Sequence, residues 1–242
     1  CGWAGHTTNT TTSAMLSRCA QPSNMNIDPL LADKLEQIVS RIFSGDVTVA
    51  ADIEKLTEHE ANLLDQMYAM HFLFSESAKY RGRVIDITIF VEMSLATVLS
   101  KYFSEKNQKK EAQLNAYVFD RMPLSQKLML LKNVLKDSYP ELASKYSTDL
   151  AEIGRLVEFR NNIAHSMLNS NAEYLGKVSE RLKKIRTETS QQKAFEDIQE
   201  IEITYYQNGK VTTKRITRKD IDNHHSSCIE KASMLQKLSQ EL

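Results

Sequence analysis

The chain has 242 residues, with 31 Lys and Arg against 31 Asp and Glu, 41% hydrophobic residues, and only 7 Gly and 4 Pro. This composition is globular and, at roughly 150 residues per domain, fits one large domain or one with a small appendage. The even charge excludes a polybasic coat on nucleic acid, so any such contact must come from local patches. No window approaches about 18 uninterrupted apolar residues, so no membrane span is expected. The three cysteines, Cys1, Cys19 and Cys228, are too dispersed for a disulfide framework and point to a reducing compartment, the cytoplasm.

Residues 1–24, rich in Thr, Ser and Asn, lack the charged start and apolar run of a signal peptide. They read as a disordered leader, or as residues foreign to the native protein, ahead of an expected native start at Met25. Asp28 before Pro29 is an N-cap with proline in the first turn, and Leu30, Leu31, Leu35, Ile38, Val39 and Ile42 follow at helical spacing up to Gly45. This N-terminal helix belongs to a segment, 25–56, that precedes the main bundle. Thr57 and Glu60 form a capping box for a second helix through Leu63, Leu64, Met67, Met70 and Phe74, which Gly82 is expected to end. Val84 to Phe103 is rich in β-branched residues, but about 20 residues without a turn signal favour a helix.

Glu105 to Glu111 reads as a charged loop. Pro123 opens a helix with Leu124, Leu128, Leu131, Val134 and Leu135 facing inward, and Pro140 lies beyond its end. Asp149 and Glu152 resemble a capping box for a helix running to about Asn169, and another helix carries Leu175, Val178, Leu182 and Ile185. The period then changes from 3.6 to 2. Ile201, Ile203 and Tyr205 lead to Asn208-Gly209 and a second strand to Ile216, a β-hairpin whose turn requires positive φ angles. Thr217 and Asp220 cap a last helix. The fold class is therefore all-α, a helical bundle over 57–199 with one appended β-hairpin and a C-terminal helix over 200–242.

The stretch richest in chemistry runs from Glu152 to Met167. On a helix, Ile153, Leu156, Arg160, Ile163 and Met167 recur at spacings of three and four, a seam that should face a neighbouring helix. Arg160 breaks it with a charge that arginine cannot shed, so it needs a carboxylate, a phosphate or an opening in the packing. A structural ion pair with Asp86 or Glu92 is one solution. Glu158, Asn161, Asn162, His165 and Asn169 form a polar flank, with His165 about 140° around the helix from Arg160.

Arg160-Asn161 followed after three residues by His165 resembles the arginine-polar-x-histidine signature of HEPN-domain proteins (higher eukaryotes and prokaryotes nucleotide binding). The helices over Val84 to Phe103 and Leu124 to Leu135, the latter with Lys127, are similar to those preceding the motif in HEPN ribonucleases, and the likeness covers roughly residues 55 to 170. It implies an all-α bundle that dimerises through the motif helix and, in many members, a metal-independent endoribonuclease of defence or toxin systems. A second pair of similar spacing, Arg218 and His224, is set aside because Lys219 follows the arginine.

RNA carries its own nucleophile, the 2′-hydroxyl, so cleavage needs a base, an acid for the leaving 5′-oxygen and a cation for the phosphorane. Arg160 and His165 are the candidate catalytic residues, with Asn161 orienting one of them and Glu92 a candidate supporting acid. One chain offers one such histidine; a homodimer across the motif helix would offer two His and two Arg to one groove. Lys183, Lys184 and Arg186 after the motif, and Lys214 and Arg215 on the hairpin, are candidate RNA contacts, against the plainer role of solvated charge. Lys177, Arg181, Lys210, Arg218 and Lys219 belong to the same two clusters. No cofactor or metal is expected: His224, His225 and Cys228 are too few for zinc, and no phosphate-binding glycine loop is present. An antitoxin or other regulatory protein is an expected partner. In some toxin members of the family a tyrosine two residues after the histidine is modified, and here that residue is Met167. The alternative is a non-catalytic HEPN module that dimerises or binds a nucleotide or partner.

Overall fold

The structure, a computed structural model, describes residues 28–105, 107–169, 171–188, 200–207 and 210–242. The expected leader at 1–24 and the Asn208-Gly209 turn lie outside them. The described chain is an all-α bundle carrying a small three-stranded antiparallel sheet. Among the described residues no helix is long and apolar enough to cross a membrane.

The residues fall into two compact units, the first of 28–74 and 171–188, the second of the remainder. In the first unit, α1 (Pro29–Phe43) starts where Asp28 accepts a hydrogen bond from the Leu30 amide, and it ends before Gly45, whose φ of 77° turns the chain. A 3₁₀ turn (Val47–Val49) leads to the short α2 (Ala50–Ile53). The Thr57–Glu60 capping box forms as expected and opens α3 (Glu58–Ser104), of which the part to Phe74 belongs here. Leu35, Ile38 and Val39 of α1 pack with Val49, Leu63 and Leu64. Asn171 caps α8 (Ala172–Glu188), which is tied to α3 by Lys183 and Asp65 at 2.9 Å.

Gly82 does not end a helix: α3 runs through it for 47 residues. A helical glycine costs only about 1 kcal/mol relative to alanine, and the buried row Ser77, Tyr80, Val84, Thr88, Val91 and Leu95 continues across it. The expected loop at 105–111 is also corrected, because Asn107 accepts from the Lys110 amide and opens α4 (Gln108–Tyr117). This helix buries no residue fully, so it has no apolar period to betray it.

The second unit continues with α5 (Leu124–Ser138), the short α6 (Pro140–Lys145) and α7 (Ser147–His165). α7 begins two residues before Asp149 and stops at His165, four short of the expected end, because Ser166 turns extended and feeds β1 (Met167–Leu168). β1 pairs with β2 (Glu200–Gln207), which pairs with β3 (Lys210–Thr217), Ile201 opposite Ile216 and Ile203 opposite Lys214. The Thr217–Asp220 capping box then opens α9 (Arg218–Glu241). α7 packs between α5 and α9: Leu128 lies against Gly154, and Ile153 and Leu150 join Leu131, Leu135, Cys228, Leu235 and Leu238 in the core.

One ion pair is built into this core. Lys127 of α5, only 2% exposed, donates to Glu92 of α3 at 2.7 Å. Removing one partner of such a pair strands a buried charge, at about 3–5 kcal/mol. Glu92→Ala is therefore expected to lower the unfolding free energy in urea at pH 7 by about 3 kcal/mol, whereas the double change Lys127→Met, Glu92→Leu stays within about 1 kcal/mol of wild type. A single-variant loss below about 1 kcal/mol would show that the pair does not hold these helices.

Candidate active site

The motif occupies the last turn and a half of α7. Ile153, Leu156 and Ile163 of the seam are buried within the chain's own second unit, while Met167, on β1, is 75% exposed. The seam thus faces helices of the same chain.

Arg160 points in the core-facing direction of α7 but is half-buried. Its Nη1 donates to Asn161 Oδ1 at 3.0 Å. Among the described residues no carboxylate lies within 4.0 Å of the guanidinium. The structural alternative is corrected accordingly: Asp86 is exposed and does not reach Arg160, and Glu92 is committed to Lys127. That commitment also removes Glu92 as a free supporting acid beside the motif.

His165 is the last residue of α7 and its ring is exposed, whereas Asn161 and Asn162 are half-buried. The structure therefore brings Arg160 and Asn161 into direct contact and places His165 one turn on from Asn161, facing solvent. Within one chain, the guanidinium and the imidazole leave the helix in different directions.

Phe159, next to Arg160, ties the motif to two other elements. Its ring lies 4.8 Å from that of His224 on α9, and the ammonium of Lys214 on β3 stands 5.8 Å from its centroid. The far end of the motif is also tied to the hairpin. The Asn169 backbone N–H donates to the Glu202 carbonyl and its Nδ2 donates to the Glu202 carboxylate, each at 2.9 Å. The pairing that brings Asn169 to Glu202 has no signature in the sequence, since β1 has only two residues and no alternation to detect.

The basic candidates separate by their partners. Lys183 is held by Asp65 and Asn62, and Arg215 donates to Glu202 at 3.0 Å. Lys184 and Arg186 lie outside the described side chains. Lys214 is exposed, as are Lys210, Arg218 and Lys219 around it, and none of the four has a carboxylate within 4.0 Å among the described residues.

Asp149, Glu152 and Glu230 have carboxylate oxygens within 4.8 Å of one another, but the ammonium of Lys231 sits among them and bonds all three. Burial opposes the charge on Lys231, and these hydrogen bonds outweigh it, holding the lysine above its ordinary value. The cluster is a matched ion group at the α7–α9 contact. His224 and Cys228 approach to 3.5 Å, too few ligands for zinc, and His225 on the same helix is exposed.

The chain matches no protein-family model, no curated protein and no solved structure.

His224 is 5% exposed, its Nε2 lies 3.1 Å from Thr88 Oγ1, and burial, followed by the charge of His225, pushes its pKa down to about 4. From pH 6.5 down, the unfolded chain takes up a proton that the folded ring refuses until about pH 4. Stability from this group is thus complete above the upper limit and lost through the window, by about 3 kcal/mol. Denaturation of wild type and His224→Leu at pH 7, 5.5 and 4.5 checks this: the difference between the two is expected to shift in favour of the variant as acid is added. A constant difference would refute the buried neutral imidazole.

Proposed function

We propose that the chain is a metal-independent endoribonuclease, as its resemblance to HEPN nucleases implies, acting in the defence or toxin setting of that family. The observation that carries this reading is the guanidinium of Arg160: half-buried on a core-facing helix row, steadied by an amide oxygen, and with no carboxylate in reach among the described residues. A permanent cation in that state is suited to a phosphate, which it can grip with two parallel hydrogen bonds.

In the proposed reaction His165 removes the proton of the RNA 2′-hydroxyl, and the resulting oxygen attacks the adjacent phosphorus. Arg160 stabilises the charge that develops on the phosphorane, while Asn161 fixes the guanidinium plane. The P–O5′ bond breaks, a second acid protonates the leaving oxygen, and the products are a 2′,3′-cyclic phosphate and a 5′-hydroxyl. A two-fold related His165 from a second copy is the proposed acid, since the two motif side chains diverge within one chain. That divergence also favours a second reading, in which a lone chain binds RNA or a nucleotide through Arg160 without cutting it. Lys210, Lys214, Arg218 and Lys219 would guide the phosphates towards Phe159 and the motif.

Purified protein with end-labelled RNA in EDTA tests the reading. Wild type is expected to cleave to cyclic-phosphate ends, His165→Ala to lose about 10²–10⁴-fold in rate, and Arg160→Ala about 10²–10³-fold. Intact RNA with wild type, or unchanged cleavage by His165→Ala, would sink it.

Changing Lys210, Lys214, Arg218 and Lys219 together to Gln is expected to flatten the salt dependence of RNA affinity by about 0.7 in slope per cation. An unchanged slope would place the RNA elsewhere.

A further inference from the structure

The end of α7 is secured from a distance of 85 residues. Arg81 of α3 donates from Nη2 to the carbonyl of Ser166, the residue directly after His165, at 2.8 Å. Ser166 is extended, with φ −72° and ψ 153°, and its hydroxyl donates back to the Ile163 carbonyl at 2.9 Å. A helix C-terminus gathers unpaired carbonyls and partial negative charge, so a cation there is favourable.

Arg81 is held in this place at a cost. Among the described residues its Nε is buried without a partner, and so is the hydroxyl of Ser77, one turn earlier on α3. Unmet buried donors are rare and call for a reason. A methionine would fill the same space without an unmet donor, but it could neither bind Ser166 nor oppose the helix dipole.

We propose that Arg81 is a positioning residue for His165: by binding the Ser166 carbonyl it fixes the last turn of α7 and the rotation at which the imidazole leaves the backbone. Its kinetic consequence rests on the ribonuclease reading above; its structural consequence does not. With Arg81 removed, the turn carrying His165 frays, and the ring loses its place while RNA binding elsewhere on the protein is kept.

The experiment compares wild type, Arg81→Met, Arg81→Lys and, as a control, Arg83→Met, whose arginine faces outward to Asp222. Cleavage kinetics in EDTA and amide hydrogen exchange are read together. Arg81→Met is expected to lower kcat about 10-fold or more with KM within about twofold, and to speed exchange at Ala164 to Leu168 about 10-fold. Arg81→Lys recovers most of kcat because it keeps the charge, and Arg83→Met resembles wild type. A folded Arg81→Met with wild-type kcat, or one altered only in KM, would overturn the proposal. Should Arg81→Met fail to fold, Arg81→Gln, which retains one donor for Ser166, and Arg81→Lys carry the same comparison. Should wild type leave RNA intact, the ribonuclease reading falls, and the exchange data still decide: unchanged protection at 164–168 ends the role of Arg81, and lost protection sustains it as the fastener of the helix end.

Discussion

A guanidinium that cannot be neutralised has to be matched, and this chain matches its interior cations almost everywhere. Lys127 meets Glu92, Lys231 meets three carboxylates, and Arg81 meets a helix C-terminus. Arg160 is different. It stands in the inward direction of α7, among positions that elsewhere hold Ile153, Leu156 and Ile163, and among the described residues the partner of its guanidinium is the neutral amide of Asn161. An amide oxygen carries only a partial charge, so most of the field of Arg160 is left to act on whatever anion approaches. The proposed ribonuclease reading draws its structural support from this mismatch between one side chain and its row.

The same sorting by partner separates the basic clusters that composition alone makes equivalent. On α8 and along the outer face of the sheet, Lys183 and Arg215 are spent on Asp65 and Glu202. Around the start of α9 the charge is left over. Arg218 and Lys219 occupy the first turn of that helix, where the macrodipole makes a cation unfavourable by about 0.3–1 kcal/mol. Asp220 in the capping box offsets part of this. This positive charge, kept against the local preference, is what the RNA path proposed above would draw on, together with Lys214 on Phe159.

Where a local rule fixes the backbone, the sequence is transparent. Asp28-Pro29, Thr57 with Glu60, and Thr217 with Asp220 each form the cap that their residue types require, and the alternation from Ile201 to Ile216 forms the hairpin. Where a weak local signal competes with packing, it is not. Gly82 lost to a buried row that passes through it, and Gln108 to Tyr117 is helical without an apolar face. Asp149 and Glu152 have the spacing of a capping box, yet Asp149 is a ligand of Lys231, a contact 82 positions away that no local pattern encodes. The candidate site divides in the same way. The seam position of Arg160 was legible from spacing, but the engagement of Glu92 with Lys127 and the tie of Arg81 to Ser166 depend on long-range contacts.

The motif is held between two contacts with one hairpin, and this determines how rigidly it can be aimed. Lys214 reaches Phe159 just before Arg160, while Glu202 binds Asn169 just after the strand that follows His165. Between them, β1 sets the rotation of the chain as it leaves α7: Leu168 lies opposite Ile203, and Met167 faces solvent opposite Thr204. A slip of one residue would exchange these two faces, exposing Leu168 and burying Met167, and would carry Asn169 away from Glu202. Because β1 has only two residues, its register is defended chiefly by side chains at its ends, Asn169 on one side and Ser166 with Arg81 on the other. The helix end bearing His165 is therefore oriented by α3 and the hairpin together, so that its geometry belongs to the tertiary fold rather than to the motif sequence.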